Sequence, residues 1–283
     1  MVFINPKTDF AFKKIFGSEE KKEILISFLK ALLYEGRDVI EDLEILNPYQ
    51  APKIQGIKDT YLDVKAQLKG GENVIIEMQV LNVEGFEKRI LYNAAKAYSI
   101  QLDRGEEYVL LNPVIALTIT DFKMFEFKKM SSAFVLKEKE ILTDYTQNDI
   151  ELVFVELPKF KKKLEELETL TDKWLYFLKT AKKLKSVPQQ LAEVEEINEA
   201  FKVARETSLT REELEELQRR EIFIQDQFNA VRLARRLGRE EGLEEGREEE
   251  KMEIAQRLLT ILDDETISQT TGLSLEEVKR LRA

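Results

Sequence analysis

The sequence contains neither cysteine nor histidine. Without cysteine the chain forms no disulfide and offers no thiolate ligand to zinc. Without histidine it lacks Ser-His-Asp catalysis, histidine-ligated metal sites and histidine general bases. Any hydrolytic chemistry must therefore depend on carboxylates, lysine, tyrosine and bound metal ions.

Long apolar runs and an excess of positive charge are also missing. No stretch of the 283 residues approaches the length that spans a bilayer, and residues 1–6 do not form a signal peptide. We therefore expect a cytoplasmic protein with no membrane partner. The net charge of −10 argues against a strongly basic nucleic-acid coat, although a local basic groove can exist in an acidic chain.

A β-hairpin is predicted over residues 61–80. Apolar residues alternate with polar ones in both arms, around a turn at Gly70-Gly71, and this period of two is typical of paired strands. The apolar face holds Leu62, Val64, Ala66 and Leu68 from one arm and Val74, Ile76, Met78 and Val80 from the other. The polar residues Asp63, Lys65, Gln67, Glu77 and Gln79 lie on the opposite face.

The alternation also predicts the register of this hairpin. Even-numbered residues must lie opposite even-numbered ones, because a slip of one residue would turn one arm's apolar set into water. The loop must then have an odd length, most simply Lys69-Gly70-Gly71 with a glycine at positive φ, unless a bulge restores the phase. With the three-residue loop, Asp63 lies opposite Glu77, close enough for the two carboxylates to share an ion.

Asp63 and Glu77 are candidate ligands for Mg²⁺ or Mn²⁺, since hard divalent cations prefer oxygen ligands. The alternative is that these residues and Gln79 only form the solvent-facing side of an antiparallel pair.

Helices and further strands surround the hairpin. Apolar spacing predicts helices over 8–34, interrupted at Gly17-Ser18, and from about 84 to 103. A buried strand is predicted at 114–120, and further strands are predicted at 132–137 and 151–157. From Pro158 the pattern is helical throughout, and a charged helix is predicted from Thr210 to about Lys251. Its charged run is either a solvated helix face or a self-associating coiled coil. Its apolar residues are expected to pack on its own domain or on a second copy. The last residues are predicted to form a helix, a turn at a glycine and a second helix.

Three segments together resemble the bacterial Rpn family, described as recombination-promoting nucleases or transposases of the PD-(D/E)xK superfamily. They are residues 6–17 (PKTDFAFKKIFG), 62–64 (LDV) and 76–79 (IEMQ). The third segment carries glutamine where the superfamily motif has lysine. The resemblance implies an α/β fold, a restriction-endonuclease-like mixed sheet flanked by helices, followed by an all-helical C-terminal extension. We predict a nuclease-like domain at 1–157, a helical extension at 158–251 and a helix-turn-helix-like tail at 252–283.

The resemblance further implies a divalent-metal-dependent DNA endonuclease linked to recombination, mobile elements or defence against foreign DNA. Its predicted partners are DNA and a second copy bound through the helical C-terminal region. The alternative is a catalytically inactive nuclease-fold protein that binds DNA or assembles into oligomers. The final helix carries Glu276 and Glu277, where a helix that faces phosphates would need lysine or arginine. We therefore expect the tail to be a packed helical hairpin that does not recognise DNA.

The resemblance also assigns roles to individual residues. Asp63 and Glu77 would hold the metal, and Gln79 would orient the attacking water, with Lys65 as a substitute for the missing motif cation. Asp9 would be an additional acid near the metal, unless it only forms an i,i+4 pair with Lys13. Residues expected to contact substrate phosphate are Lys13, Arg89, Tyr92 and Lys96; the alternative for those on the helix after Gln79 is that their side chains only cover the core.

Overall fold

The computed structural model describes residues 2–50, 60–145 and 148–282. The α-helices are α1 Asp9–Phe16, α2 Lys22–Leu33, α3 Phe86–Ser99, α4 Leu170–Thr180, α5 Gln189–Ala192, α6 Glu195–Val203, α7 Arg211–Leu258, α8 Asp264–Thr271 and α9 Leu275–Arg282. The strands are β1 Leu43–Leu46, β2 Tyr49–Gln50, β3 Thr60–Tyr61, β4 Val64–Leu68, β5 Asn73–Gln79, β6 Val114–Thr120, β7 Ser131–Phe134 and β8 Ile150–Glu156. The chain forms two compact units, Met1–Ile224 and Gln225–Ala283.

Six strands form one mixed sheet in the order β1-β4-β5-β6-β8-β7. The pairs β1/β4, β4/β5 and β7/β8 are antiparallel, and β5, β6 and β8 run parallel to one another. The predicted mixed sheet flanked by helices is therefore confirmed. Because β5, β6 and β8 are parallel, their carboxyl ends lie at the same end of the sheet, where ligands commonly bind in open α/β folds.

The hairpin has the predicted register. Val64 pairs with Ile76 and Ala66 with Val74, so even-numbered residues face even-numbered ones. The Leu68 N–H donates to the Glu72 carbonyl at 2.8 Å, which leaves a three-residue loop. Gly71 in this loop has φ +101°, a conformation that side-chain-bearing residues rarely adopt.

Leu62 departs from the predicted pattern. It packs with Ile75, Ala94 and Ala97 on the α3 side of the sheet, whereas Val64 and the rest of the predicted apolar set pack on the other side. The prediction that Leu62 shares a face with Val64 is wrong. Residues 62 and 63 belong to no strand, so the alternation begins only at Val64.

Helices α1, α2, α4 and α6 cover one face of the sheet. Thr8 caps α1 by accepting a hydrogen bond from the Ala11 N–H at 3.3 Å. The apolar side of α1 packs into a core that also contains Phe28 and Trp174. This packing fixes the opposite side of α1, which carries Asp9 and Lys13.

Helix α3 covers the other face and presents polar residues to β5. Phe86, Ile90, Ala94 and Ala97 are its buried apolar residues. Spaced at three and four residues, they fix the rotation of the helix about its axis. Arg89 and Asn93, one turn apart, are consequently directed toward Glu77.

The C-terminal region is helical, as predicted. Gly272, at φ +76°, ends α8. Ser274 and Glu277 then exchange hydrogen bonds at the start of α9 as a capping box. Ala255, Ile267, Leu273 and Val278 form a small core of their own. The division of the chain at 157 and 251 stays a prediction.

Candidate active site

A cavity of about 250 Å³ lies at the carboxyl end of β5. Its described lining residues are Lys7, Asp9, Asp63, Glu77, Met78, Gln79, Val80, Leu81, Arg220, Phe223 and Ile224. Four of the predicted site residues, Asp9, Asp63, Glu77 and Gln79, thus meet in one place although they come from three parts of the chain.

Asp63 lies immediately before β4, where the pairing between the two arms of the hairpin has ended. Its Oδ2 accepts a hydrogen bond from the Met78 N–H at 2.7 Å. Because β4 begins only at Val64, this side chain satisfies a backbone donor on β5 that no strand residue pairs. The Asp63 side chain is 11% exposed, and its Oδ1 lies 3.7 Å from the Lys13 ammonium.

Burial raises the pKa of Asp63 to about 7. Loss of solvation is the largest cause, and the negative charges of Glu77 and Asp9 act in the same direction. The hydrogen bond from Met78 and the charge of Lys13 oppose the rise but do not cancel it. A carboxyl group in this environment is stabilised in its ionised form by a nearby cation.

Glu77 is held by two donors from α3. Arg89 Nη2 lies 2.6 Å from Glu77 Oε1, and Asn93 Nδ2 donates to Oε2 at 3.4 Å. The Glu77 side chain is 16% exposed. The face of β5 that carries it is covered by α3, so Glu77 is not part of a solvent-facing strand surface.

Gln79 is hydrogen-bonded at both ends of its amide. Its Oε1 accepts from Arg89 Nη2 at 2.9 Å, and its Nε2 donates to the Leu81 carbonyl at 2.7 Å. Arg89 therefore joins Glu77 to Gln79, with its guanidinium 5.1 Å from the Phe86 ring centroid. The oxygen of Gln79 retains a second lone pair for a water molecule.

Asp9 and Lys13 form separate ion pairs. Lys13 pairs with Asp63, whereas Asp9 Oδ2 lies 3.5 Å from Arg220 Nη1 on α7. Arg220 also pairs with Glu216 through its Nε at 2.9 Å. The first turns of α7 thus contribute one wall of the cavity and one of its cations.

Five other predicted residues are not among the described residues that line the cavity. Two of them, Lys13 and Arg89, nevertheless pair with its carboxylates. Lys65 lies on β4 opposite Ile75, where burial lowers its pKa. Tyr92 is partly exposed on α3, and Lys96 is buried on the same helix. Their predicted roles in the site stay predictions.

Sequence reasoning missed Lys7, Asn93, Asp121 and Arg220. Lys7 Nζ contacts Asp121 Oδ2 at 2.5 Å, and the Asp121 N–H donates to the Gln79 carbonyl at 2.9 Å. One signal was available for Asp121, because it directly follows β6 and the ends of neighbouring parallel strands meet at one edge. Arg220 gave no local signal.

The oxygen ligands present fit a magnesium ion. Among the described residues, no group of three or more Asp, Glu, His or Cys side chains is arranged to hold a metal ion. Asp63 and Glu77 nevertheless offer two carboxylates to one cavity. Mg²⁺ usually keeps several waters and binds through one or two carboxylates together with substrate phosphates.

The sequence model of the PD-(D/E)XK nuclease family transposases matches residues 6–234. The chain therefore belongs to this family, and the resemblance noted from its motifs is confirmed. The match covers every residue of the cavity described above. No curated protein and no solved structure matches the chain significantly.

Proposed function

We propose that this protein is a divalent-metal-dependent DNA endonuclease that uses the cavity at the end of β5. The observation that carries the proposal is the meeting of Asp63 and Glu77 with Asp9, Gln79 and two cations, Lys7 and Arg220, in a single cavity. Lys13 and Arg89 pair with the two carboxylates from outside the lining. Phosphodiester hydrolysis requires a positioned nucleophilic water and positive charge near the transferring phosphoryl group. The family membership supports a nuclease or transposase-like role.

Each side chain has a task in this proposal. Asp63 and Glu77 would hold Mg²⁺ or Mn²⁺, which when bound lowers the pKa of water and polarises a phosphoryl oxygen. The Met78 N–H and the Arg89 guanidinium hold the two carboxylates in place. Gln79 orients water through the free lone pair of its carbonyl oxygen, and Asp9 adds negative charge at the cavity wall.

Lys13 is the cation best placed to replace the lysine that the motif lacks. Its ammonium lies beside Asp63, and its side chain is partly exposed, so it can reach a bound phosphate. Arg89 is a second cation, but its Nη2 already serves Glu77 and Gln79.

Replacing Lys13 by methionine should slow metal-dependent plasmid nicking by about 10- to 100-fold, since it removes one charge near the transition state. The matched control is Lys14→Met on the same helix, which breaks only the ion pair between Lys14 and Glu213. Nicking rates at saturating plasmid separate catalysis from binding. Equal rates for the two variants would remove Lys13 from the mechanism.

The biological setting proposed for this activity is recombination, mobile-element transfer or defence against foreign DNA. The family description includes transposases, which supports the first two. Plasmid and chromosomal DNA are cytoplasmic in bacteria, and we place the protein there. In the part of the chain that is described, no helix combines the length and apolar character needed to cross a membrane.

A catalytically inactive DNA-binding protein is the second candidate. It is favoured by the ion pair between Arg89 and Glu77, which neutralises one proposed metal ligand, and by glutamine at position 79. The two candidates differ in one measurement. Only the endonuclease nicks supercoiled plasmid when Mg²⁺ or Mn²⁺ is added and stops when EDTA is added.

We also propose a homodimer formed through α7. Phe228, Val231 and Leu237 are large apolar side chains on this helix, and each is exposed in the single chain. Light scattering should give a mass near twice the single-chain 33.0 kDa. The double variant Phe228→Glu/Val231→Glu should give the single-chain mass, whereas Val109→Glu, at another exposed apolar residue, should not. A wild-type mass equal to one chain would contradict the dimer.

A further inference from the structure

A second cavity, of about 470 Å³, lies beyond the carboxyl ends of β6 and β8. We call its wall the Phe127 surface, which comprises Lys123, Phe125, Phe127, Lys128, Lys159 and Lys161. None of these residues belongs to the cavity at the end of β5.

The Phe127 surface is strongly basic in an acidic protein. Residues 122–130 and 157–163 contain seven lysines and one glutamate, while the whole chain has a net charge of −10. Lys123, Lys128 and Lys161 are exposed, and none forms an ion pair with another described residue. Three unneutralised ammonium groups around one concave surface fit a chain of phosphates.

An exposed aromatic ring lies among these lysines. Phe127 is 45% exposed and stacks on Phe125, with ring centroids 5.1 Å apart and planes 8° from parallel. Phe125 is in turn packed against Phe134 and Phe154. The Phe127 ring is therefore partly exposed and supported by Phe125, and unpaired bases stack on exposed aromatic rings of this kind.

Buried interactions fix the backbone that carries this ring. Lys159 donates to the Phe127 carbonyl at 2.7 Å and pairs with Glu156, which is fully buried. Glu156 Oε1 accepts from the Met124 N–H at 2.6 Å. The Lys159 ammonium lies 4.7 Å from the Phe127 ring centroid. Lys159 and Glu156 thus hold the backbone of the Phe127 surface in place, and the three exposed lysines are available to contact a ligand.

The Phe127 surface adjoins the candidate active site through Asp121. This residue contacts Lys7, which lines the first cavity, and its N–H donates to the Gln79 carbonyl. Lys123, two residues further along the chain, lines the second cavity.

We propose that the Phe127 surface binds a single-stranded segment of the polynucleotide that extends from the bond held in the candidate active site. The inference rests on the proposed function for the identity of the substrate. A duplex keeps its bases stacked inside, so a supported and exposed phenylalanine gains most from unpaired bases. The lysines contact the phosphates of the same strand.

The test is fluorescence anisotropy in EDTA with full-length protein and two probes, an oligo-dT of about 15 nucleotides and a duplex of equal length. Wild-type protein should bind the single strand more tightly. Phe127→Leu should weaken that binding roughly five-fold or more, because base–aromatic stacking is lost. Lys123→Glu/Lys128→Glu should weaken it and reduce the slope of log K against log salt by about 1.4.

Matched controls lie elsewhere on the protein. Tyr108→Leu removes another exposed aromatic ring, and Lys185→Glu/Lys279→Glu makes the same change in net charge. Both should bind oligo-dT like wild type. Surface variants that bind no more weakly than these controls would overturn the inference. The same variants are also tested for binding to phosphatidylserine vesicles. Loss of vesicle binding together with unchanged affinity for oligo-dT would likewise overturn the inference.

A nicking assay with Mg²⁺ distinguishes this inference from the proposed function. Phe127-dependent binding without any cleavage by wild-type protein counts against the endonuclease alone. Cleavage by wild-type protein together with unchanged oligo-dT binding by the surface variants counts against the Phe127 surface alone.

Discussion

Plasmid nicking in Mg²⁺ or Mn²⁺ should fall by more than about 100-fold when either Asp63 or Glu77 is replaced by alanine, since each change removes a proposed metal ligand. The two carboxylates line one cavity, so loss of either leaves a single acid for the ion. Asp63→Asn and Glu77→Gln should have the same effect on nicking. They preserve volume, and Asp63→Asn keeps an oxygen for the Met78 N–H.

Glu87→Gln is the control for this prediction, because Glu87 is an exposed acid in the first turn of α3. It should nick at the wild-type rate. Thermal melting in EDTA should show that the amide variants remain folded. Nicking that persists in both alanine variants and in EDTA would exclude a metal site at these residues.

The stability of the metal-free protein should depend on pH through Asp63. Its pKa is about 7 in the folded chain and near the ordinary 3.8 in the unfolded chain. Between these values the folded chain retains a proton that the unfolded chain has lost, so the free energy of unfolding falls as pH rises. Below pH 3.8 Asp63 is protonated in both states and does not lower the free energy of unfolding. Above pH 7 it is ionised in both states, and the loss of unfolding free energy is complete.

Asp63→Asn removes this titration. Relative to wild type, the variant should gain on the order of 2–3 kcal/mol of unfolding free energy between pH 5 and pH 8, given about 1.4 kcal/mol per pKa unit. Urea unfolding in EDTA at the two pH values measures the difference directly. Subtracting wild type cancels the titration of all other groups that the two proteins share.

Asp42→Asn serves as the control with the opposite shift. The hydrogen bond from Lys22 holds the pKa of Asp42 below its ordinary value, so Asp42 is ionised at both pH values in either state. Its difference from wild type should therefore be the same at pH 5 and pH 8. A difference for Asp63→Asn that is also independent of pH would contradict a raised pKa at Asp63.

The register of the hairpin was predictable from the sequence because it depends on a local rule. Side chains alternate between the two faces of a strand, so the parity of the apolar positions fixes both the loop length and the pairing of Val64 with Ile76. The rule failed at Leu62, where the chain has left the strand. Alternation gives the face of a residue only while the pairing continues.

The same limit applies to Lys65. Alternation places it on the face of Asp63, but it lies two residues further into the hairpin, about 6–7 Å along the strand. The cavity forms at the end of β5, and the described residues that line it do not include Lys65. Lys13, from a distant helix, occupies the position beside Asp63 instead.

By itself the sequence determined the family, the mixed sheet with its helical C-terminal region, and the meeting of Asp63 with Glu77. These follow from motifs and from the periodicity of strands and helices, which are local properties. Only the tertiary structure decided the partners of these acids: Arg89 for Glu77, Lys13 for Asp63 and Arg220 for Asp9. Such pairs join residues on different secondary-structure elements, and their choice depends on how α1, α3 and α7 pack around the carboxyl end of β5.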